Sequence, residues 1–303
     1  MAKTRSYTGG RFALNVDGLG LLGFVKKFSG GTIKGELATH NLGPDNIQKK
    51  HIVSIIYEPI TVEVGMGISA GFYEWIRAAF DRGYVTKSGE IHACDFDYKS
   101  MSVREFLAAH ISEVTIPALD GSSKEPAYMT VKINPERIRY RKGDGSQIQG
   151  KIVPASKKWL CSNFRFTLGN LPCSRVTKID SFTWKLGVIK DEVGQFRVPT
   201  KHPGKVEVPN LKLTISMAEF EPWQDWHRSF VIEGQCAGGD ELTGAITFLA
   251  PDLRNELAEI ELLNVGIISL EEFGQESTKE EFARFTVELY VEKMTFNYKA
   301  VDA

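Results

Sequence analysis

The sequence predicts a mainly β protein of the α+β type, with two tandem antiparallel β-sandwich or barrel domains and one flanking helix in each. Three observations support this fold class: a segment pattern that recurs once, alternation of apolar and polar residues, and one short helical pattern per copy. Alternation with period two is typical of half-buried antiparallel strands, and so few helices do not fit a doubly wound or (β/α)8 fold. We expect domains at residues 1–145 and 159–303, joined by a linker at 146–158.

The internal repeat is the basis for two copies. The alternating run at 60–66 recurs 151 positions later at 211–217, and a tryptophan follows each run by nine residues. The other matching pairs are 11–14 with 163–166, and 130–133 with 286–289, the latter 156 positions apart. A nearly constant spacing across four segments predicts a duplicated domain of about 150 residues, which is an ordinary domain size.

Each copy opens with a short alternating strand, at 12–16 and at 164–168, and then enters a long polar stretch that contains glycine. These polar stretches, at 29–50 and 187–209, are predicted to be long surface loops. The runs at 60–66 and 211–217 are predicted to be half-buried strands. Each copy closes with a long strand whose apolar phase slips once, which indicates a β-bulge.

Between these strands the period changes to that of a helix. In the first copy the apolar residues predicted to share one helix face are Phe72, Trp75, Ile76, Ala79 and Phe80. Ser69 is placed to cap this helix and Gly83 to end it. In the second copy, Trp223, Trp226 and Phe230 predict an equivalent helix.

The composition excludes several classes of function. The chain has 303 residues, 42% hydrophobic and 25% charged, and its 37 Lys+Arg nearly cancel its 38 Asp+Glu. This balance provides no broad basic field for nucleic acid and no signature of disorder. Apolar runs fall short of the roughly 20 residues that span a bilayer, and no apolar stretch follows the basic start. Four cysteines are too few for a disulfide framework, so we expect buried free thiols in a reducing compartment.

Gly67-Ile68-Ser69-Ala70-Gly71 has the G-x-S-x-G spacing of a hydrolase nucleophile elbow and stands between a strand and a helix. His92, His110, His202 and His227 could supply a base. However, the second copy has Ala218-Glu219-Phe220 in this region, and the alternating βαβ pattern of that fold is absent. We therefore expect Ser69 to be a structural cap, with a serine hydrolase kept as an alternative.

Other candidate sites are weak. His92, Cys94 and Asp95 lie close together, but the paired spacing of zinc ligands is missing. The run at 18–23 has the spacing G-x-G-x-x-G and is predicted to be a hairpin turn, because no helix of adequate length follows it. We expect no enzyme activity, no catalytic residue, no cofactor and no metal.

In order and spacing, residues 7–140 resemble the tail tube proteins of contractile phages and related injection systems. The resemblance rests on Asp17-Gly18-Leu19, on Gly23-Phe24 with Phe28-Ser29-Gly30, and on the strand at 57–64. It continues through Phe72-Tyr73-Glu74-Trp75-Ile76, Ser88-Gly89-Glu90-Ile91 and Val114-Thr115-Ile116-Pro117. The second copy is more divergent: it keeps the strands and Trp226, but has Pro172-Cys173-Ser174-Arg175-Val176 in place of the Gly-Phe run.

The resemblance implies two packed antiparallel sheets with a helix, six such domains closing a ring, and rings stacked through the long loop. It implies a structural subunit of a phage tail or contractile injection particle, assembled in the bacterial cytoplasm without membrane insertion. Expected partners are further copies of the chain, neighbouring tube, sheath or baseplate proteins, and DNA or an effector as lumen cargo. A baseplate hub or tube-initiator ring and a soluble two-domain binding protein remain alternatives.

Two copies per chain predict a ring of three chains with alternating domains, and six chains in two layers remain possible. The predicted subunit-contact residues of the two long loops are Lys34, His40, Asn41, Lys49, Lys50, Arg197, Lys201, His202 and Lys205.

Overall fold

The structure is a computed structural model that describes residues 11–42, 47–81, 83, 85–148, 159–191, 198–237, 239–272 and 282–299. Most of these residues lie in strands, and two α-helices accompany them, so the mainly β prediction is confirmed. Within the described residues, no helix is long and apolar enough to cross a membrane.

The first half of the described chain, residues 11–148, begins with three short strands and a hairpin, and its longest strand has 17 residues. Its elements are β1 (Arg11–Val16), β2 (Gly20–Val25), β3 (Lys27–Gly30), β4 (Ile33–Leu42), β5 (Ile47–Tyr57), β6 (Ile60–Gly65), α1 (Ala70–Phe80), β7 (Lys87–Cys94), β8 (Ser100–Ile116), β9 (Leu119–Asp120), β10 (Tyr128–Asn134) and β11 (Arg137–Lys142).

The second half, residues 159–299, follows a similar order. Its elements are β12 (Phe164–Leu168), β13 (Val176–Ile179), β14 (Phe182–Asp191), β15 (Thr200–Glu207), β16 (Leu211–Ser216), α2 (Phe220–His227), β17 (Leu242–Leu249), β18 (Glu256–Glu272) and β19 (Arg284–Tyr298). A 3-10 turn (Met217–Glu219) precedes α2, and a π-helical turn (Arg228–Ile232) follows it.

The described strands form three sheets. One runs β2-β1-β7-β8-β10-β6-β3, with β11 and β14 also paired to β8 and with β15 paired to β14. The second runs β12-β17-β18-β19-β16-β13-β9, and the third is the β4-β5 hairpin by itself. Strands of both halves therefore share sheets, because β14 joins the first sheet and β9 joins the second.

Strand register is also similar in the two halves. Thr130 of β10 lies opposite Thr115 of β8, and the residues 156 positions later, Thr286 and Glu271, lie opposite each other in β19 and β18. Ala108 and Asn264, again 156 apart, both have positive φ angles within the long strands β8 and β18. The origin of the two halves by duplication stays a prediction.

Two expectations about loops and strands were wrong. The stretches at 29–50 and 187–209 are not loops, because β4 pairs with β5 and β14 pairs with β15 to form long hairpins. A strand that is exposed on both faces shows no alternation of apolar and polar residues, so its periodicity is lost. The closing segment of the first half is two strands, β10 and β11, which pair with different parts of β8.

The helices and the core follow the sequence pattern. Ser69 caps α1, since its Oγ accepts a hydrogen bond from the amide of Phe72 at 3.2 Å. The predicted face of α1 is buried except at its end, where Phe80 is partly buried. Tyr73 of α1 stacks on Phe296 of β19 with ring centroids 4.6 Å apart, so a single apolar core extends through both halves.

All four cysteines are free thiols: Cys94 and Cys161 are buried, Cys173 is partly buried and Cys236 is exposed. Burial raises the pKa of the Cys94 and Cys161 thiols and raises that of Cys173 to about 11. These thiols are therefore protonated at neutral pH and pack as small apolar side chains.

Candidate assembly interface

A pairing of β8 with β14 joins the two halves of the chain. Residues 113–116 of β8 run antiparallel to 182–185 of β14, with Val114 opposite Trp184. The hydroxyl oxygens of Thr115 and Thr183 lie 2.8 Å apart across this joint. Trp184 is 3% exposed, and its ring packs 5.7 Å from the ring of Phe80 at the end of α1. The joint is thus an edge-to-edge strand contact that is supported by apolar packing of Trp184 against the first half.

Lys201 of β15 fastens the same hairpin to the first half. Its Nζ donates hydrogen bonds to the Tyr57 carbonyl at 3.0 Å, to Asn134 Oδ1 at 2.8 Å and to the Pro135 carbonyl at 2.8 Å. Burial lowers the pKa of Lys201 to about 8. A buried ammonium with three oxygen acceptors is satisfied in its hydrogen bonds, so it tolerates removal from water and holds the hairpin in place.

His110 of β8 lies in the same region and is 2% exposed. Neither ring nitrogen has a hydrogen-bond partner within the described chain. Burial, followed by the charges of Lys201 and His202, lowers the pKa of His110 to about 4. The imidazole is therefore neutral at pH 7 and acts as a packing group.

The segments that correspond to this joint in the repeat, the end of β18 and the start of β4, are not paired with each other in the described chain. β17 pairs with β18 only as far as Val265, and residues 266–272 of β18 pair with β19 on one side alone among the described strands. β4 pairs only with β5 in the described chain. The chain thus presents two strand edges, at the end of β18 and at the start of β4, whose counterparts in β8 and β14 are paired to each other.

The β4-β5 hairpin also exposes apolar residues. The exposed fractions are 37% for Ile33, 55% for Leu37 and 58% for Ile52. Leu37 and Ile52 lie opposite each other in the hairpin. The matching hairpin β14-β15 buries its base against the first half, whereas β4-β5 has no such seat within the described chain.

Most of the predicted contact residues lie on the two hairpins. Lys34 forms an ion pair with Glu58 at the base of β4-β5. The rings of His40 and His51 stack with centroids 4.9 Å apart. The exposed members are Lys34, His40, Asn41, Lys49, Lys50, His202 and Lys205.

Two predicted residues differ from the rest. Lys201, predicted as a subunit-contact residue, is buried, and its hydrogen-bond partners belong to its own chain, so its ammonium is not exposed to another subunit. A lysine within a polar stretch gives no sequence signal of burial, because the three oxygens that bind its ammonium come from distant segments. Arg197 lies outside the described residues.

The candidate catalytic and metal-binding residues are used structurally. Ser69 is the helix cap already described. His92 contacts Ser100 Oγ through Nδ1 at 2.9 Å and Glu90 Oε2 through Nε2 at 3.1 Å. In the part of the chain that the structure describes, no three His, Cys, Asp or Glu side chains are grouped to hold a metal ion.

Sequence reasoning missed the residues that form the joint, namely 113–116 and 182–185. The pairing itself could not be read from the sequence, since Ile116 and its partner Phe182 are 66 positions apart.

Comparisons with known proteins identify one matching family and several similar solved structures. Residues 9–139 match the model of a family described as T4-like virus tail tube protein gp19. Similar solved structures include the sheath-tube complex of an extracellular contractile injection system, PVC, in its extended state. The match has 16% sequence identity and a TM-score of 0.38, and it covers 45% of this chain and 88% of that chain. The tube-terminating cap of the anti-feeding prophage has 18% identity and a TM-score of 0.39, over 52% of this chain and 97% of that chain.

Hcp1 from Flavobacterium johnsoniae has 18% identity and a TM-score of 0.30, over 46% of this chain and 100% of that chain. A search of curated proteins found no match.

Proposed function

The chain is related to the tail tube proteins of T4-like viruses through residues 9–139, and from this premise we propose that it is a structural subunit that forms a ring of the inner tube. The machine is a phage tail or a tail-like contractile injection system. DNA or an effector passes through the lumen, and sheath or baseplate proteins are the neighbours. The chain performs no catalysis in this role.

The observation that supports a ring is the closed joint between β8 and β14, together with its open counterpart. The end of β18 corresponds to the paired end of β8, and the start of β4 corresponds to the paired start of β14. When the open edges of two chains pair in the same way, each chain has one free edge left for the next chain. Heterologous contacts of this kind close into a ring when the rotation allows it.

The spacings of the repeat define the register of the proposed contact. Moving β8 forward by 156 and β14 back by 151 places Ile33 opposite Leu270, and Thr32 opposite Glu271. Ile33 is then the counterpart of Trp184, which is 3% exposed in its seat, whereas Ile33 is 37% exposed. A neighbouring chain would cover this apolar residue.

The exposed length of the β4-β5 hairpin has a second role in this proposal. Its exposed polar residues, His40, Asn41, Lys49 and Lys50, contact the adjacent ring, as do His202 and Lys205 of β14-β15. The hairpins project polar groups beyond the paired edges, and stacking through them gives a tube from rings.

The test uses Leu270→Pro and Leu270→Ala. In the proposed register the amide of Leu270 points away from β19, so proline removes a hydrogen-bond donor from the open edge and leaves the β18-β19 ladder intact. Leu270→Ala keeps the amide and is the matched control. We expect negative-stain images to show rings for the parent protein and for Leu270→Ala, and monomers with an unchanged circular dichroism spectrum for Leu270→Pro.

Rings formed equally well by Leu270→Pro would show that β18 is not the contact edge. Absence of rings or tubes for the parent protein over a wide concentration range would contradict the proposed function itself.

A further inference from the structure

At the edge of β4 that has no partner strand in the described chain, a tyrosine from another strand contacts the backbone. The hydroxyl of Tyr140, in β11, donates a hydrogen bond to the Gly31 carbonyl at 2.8 Å and accepts one from the Ile33 amide at 3.2 Å. The Tyr140 side chain is nevertheless 52% exposed. A single hydroxyl thus satisfies two backbone groups at the start of β4 from a position that solvent reaches.

The direction of these backbone groups identifies the edge. The Thr32 carbonyl points toward β5, because it accepts a hydrogen bond from the Glu58 amide at 3.0 Å. Backbone groups of successive strand residues point to opposite sides, so the amide of Ile33 points away from β5. Tyr140 therefore lies on the side of β4 on which a further strand would be added.

Arg104 of β8 holds the tyrosine in this position. Its guanidinium lies 5.4 Å from the centre of the Tyr140 ring and 4.8 Å from that of Phe28. It also donates a hydrogen bond to the Gly30 carbonyl at 2.5 Å. The ring is thus oriented by a contact that does not depend on its hydroxyl.

The second half of the chain differs at the corresponding positions. Trp184, 151 positions after Ile33, lies opposite Val114, and its edge is occupied by β8. Phe296, 156 positions after Tyr140, has no hydroxyl and is buried against Tyr73. Tyr140, with its hydroxyl, thus lies in the half in which the edge of β4 lacks a partner strand. Phe296, without a hydroxyl, lies in the half in which β8 covers the edge of β14.

We propose that Tyr140 is a placeholder for β18 of a neighbouring chain. In the free chain its hydroxyl caps the edge of β4, and it is displaced when Leu270 of a second copy pairs with Ile33. The proposal rests on the ring-forming function proposed above. Unpaired strand edges promote uncontrolled association, and one neutral hydroxyl protects such an edge while remaining easy for a strand to displace.

The test compares the parent protein with Tyr140→Phe, which keeps the ring on Arg104 and removes the hydroxyl. Tyr290→Phe is the control, because it removes a hydroxyl that donates to Glu241 in the second half. In dilute monomer, we expect the Ile33 amide to exchange hydrogen about tenfold faster in Tyr140→Phe than in the other two proteins. In assembled rings, the amide should be equally protected in all three, and Tyr140→Phe should assemble fastest.

Slower or weaker assembly of Tyr140→Phe would overturn the proposal, because it would make Tyr140 part of the assembled contact. An Ile33 amide that exchanges equally in parent and Tyr140→Phe monomers would also overturn it, as would equal acceleration by Tyr290→Phe. The monomer measurement does not require rings, so it separates failure of this inference from failure of the ring-forming function.

Discussion

Burial lowers the pKa of two basic side chains near the β8-β14 joint, Lys201 and His110, but it leaves them in different charge states at neutral pH. Lys201 keeps its charge at neutral pH, because three oxygens accept its hydrogen bonds even though burial lowers its pKa to about 8. His110 has no such acceptors in the described chain and stays neutral, with its pKa lowered to about 4. The region around the β8-β14 joint therefore contains one group that is charged at neutral pH and one that is neutral there.

His110 makes the junction sensitive to acid. Its folded-state pKa of about 4 lies below the ordinary value of 6.5. Between these pH values the unfolded chain binds more protons than the folded chain, so stability is retained above pH 6.5 and lost as the pH falls toward 4. We expect the loss to be on the order of 3 kcal/mol in the parent protein and to be removed in His110→Leu. Urea unfolding at a series of pH values measures this, and identical pH slopes for the two proteins would contradict it.

At the scale of elements, the two long hairpins have similar construction and different settings. The base of β14-β15 is seated on the first half through Trp184 and fastened by Lys201, whereas β4-β5 is a separate sheet within the described chain. This difference explains which parts of the fold could be predicted. Helix α1 and strand β6 bury one face, so their apolar residues recur with the helical or strand period. The hairpins are largely exposed on both faces, so composition alone made them resemble loops.

Shortening the hairpins tests whether β14-β15 contributes to folding stability through Lys201, whereas β4-β5 does not. Replacing residues 191–200 with an Asn-Gly turn joins Lys190 to Lys201, which lie opposite each other, and keeps the buried ammonium. Replacing residues 190–201 with the same turn joins Ile189 to His202 and removes Lys201 with its buried ammonium. We expect only the longer deletion to lower the free energy of unfolding, by about 1–3 kcal/mol, because it leaves buried acceptors unpaired.

The corresponding change in β4-β5 replaces residues 39–50 and joins Ala38 to His51, which are also opposite each other. It should leave the free energy of unfolding unchanged and still permit rings, but prevent long stacks of rings in electron micrographs. Normal stacking after this deletion would show that the exposed hairpin does not connect rings. Equal stability of the two β14-β15 deletions would show that Lys201 does not fasten the hairpin.

For the whole molecule, the joint between β8 and β14 favours one of two arrangements that the tandem sequence leaves open. Strands of the two halves lie side by side in a shared sheet. We therefore propose that the halves occupy neighbouring positions around one ring, and not two stacked layers. The repeat indicated two copies, but not this placement, because spacing along the chain carries no information on which edges meet. Six domain positions, as the family resemblance implies, would then be filled by three chains with the two halves alternating.

We therefore expect native mass spectrometry to find rings of three 33.8-kDa chains.

A disulfide between neighbouring chains can establish the number of chains per ring independently. In the proposed register Thr32 faces Glu271 as Thr115 faces Thr183, a pair whose hydroxyl oxygens are 2.8 Å apart. Thr32→Cys with Glu271→Cys, in a Cys236→Ser background, should oxidise to a covalent ladder that stops at three chains, because the third link closes the ring. Each single-cysteine variant should stay uncrosslinked. A ladder that stops at six chains, or rings of six chains in two layers, would contradict the alternating arrangement, since the contact between halves would then join layers and not neighbours around one ring.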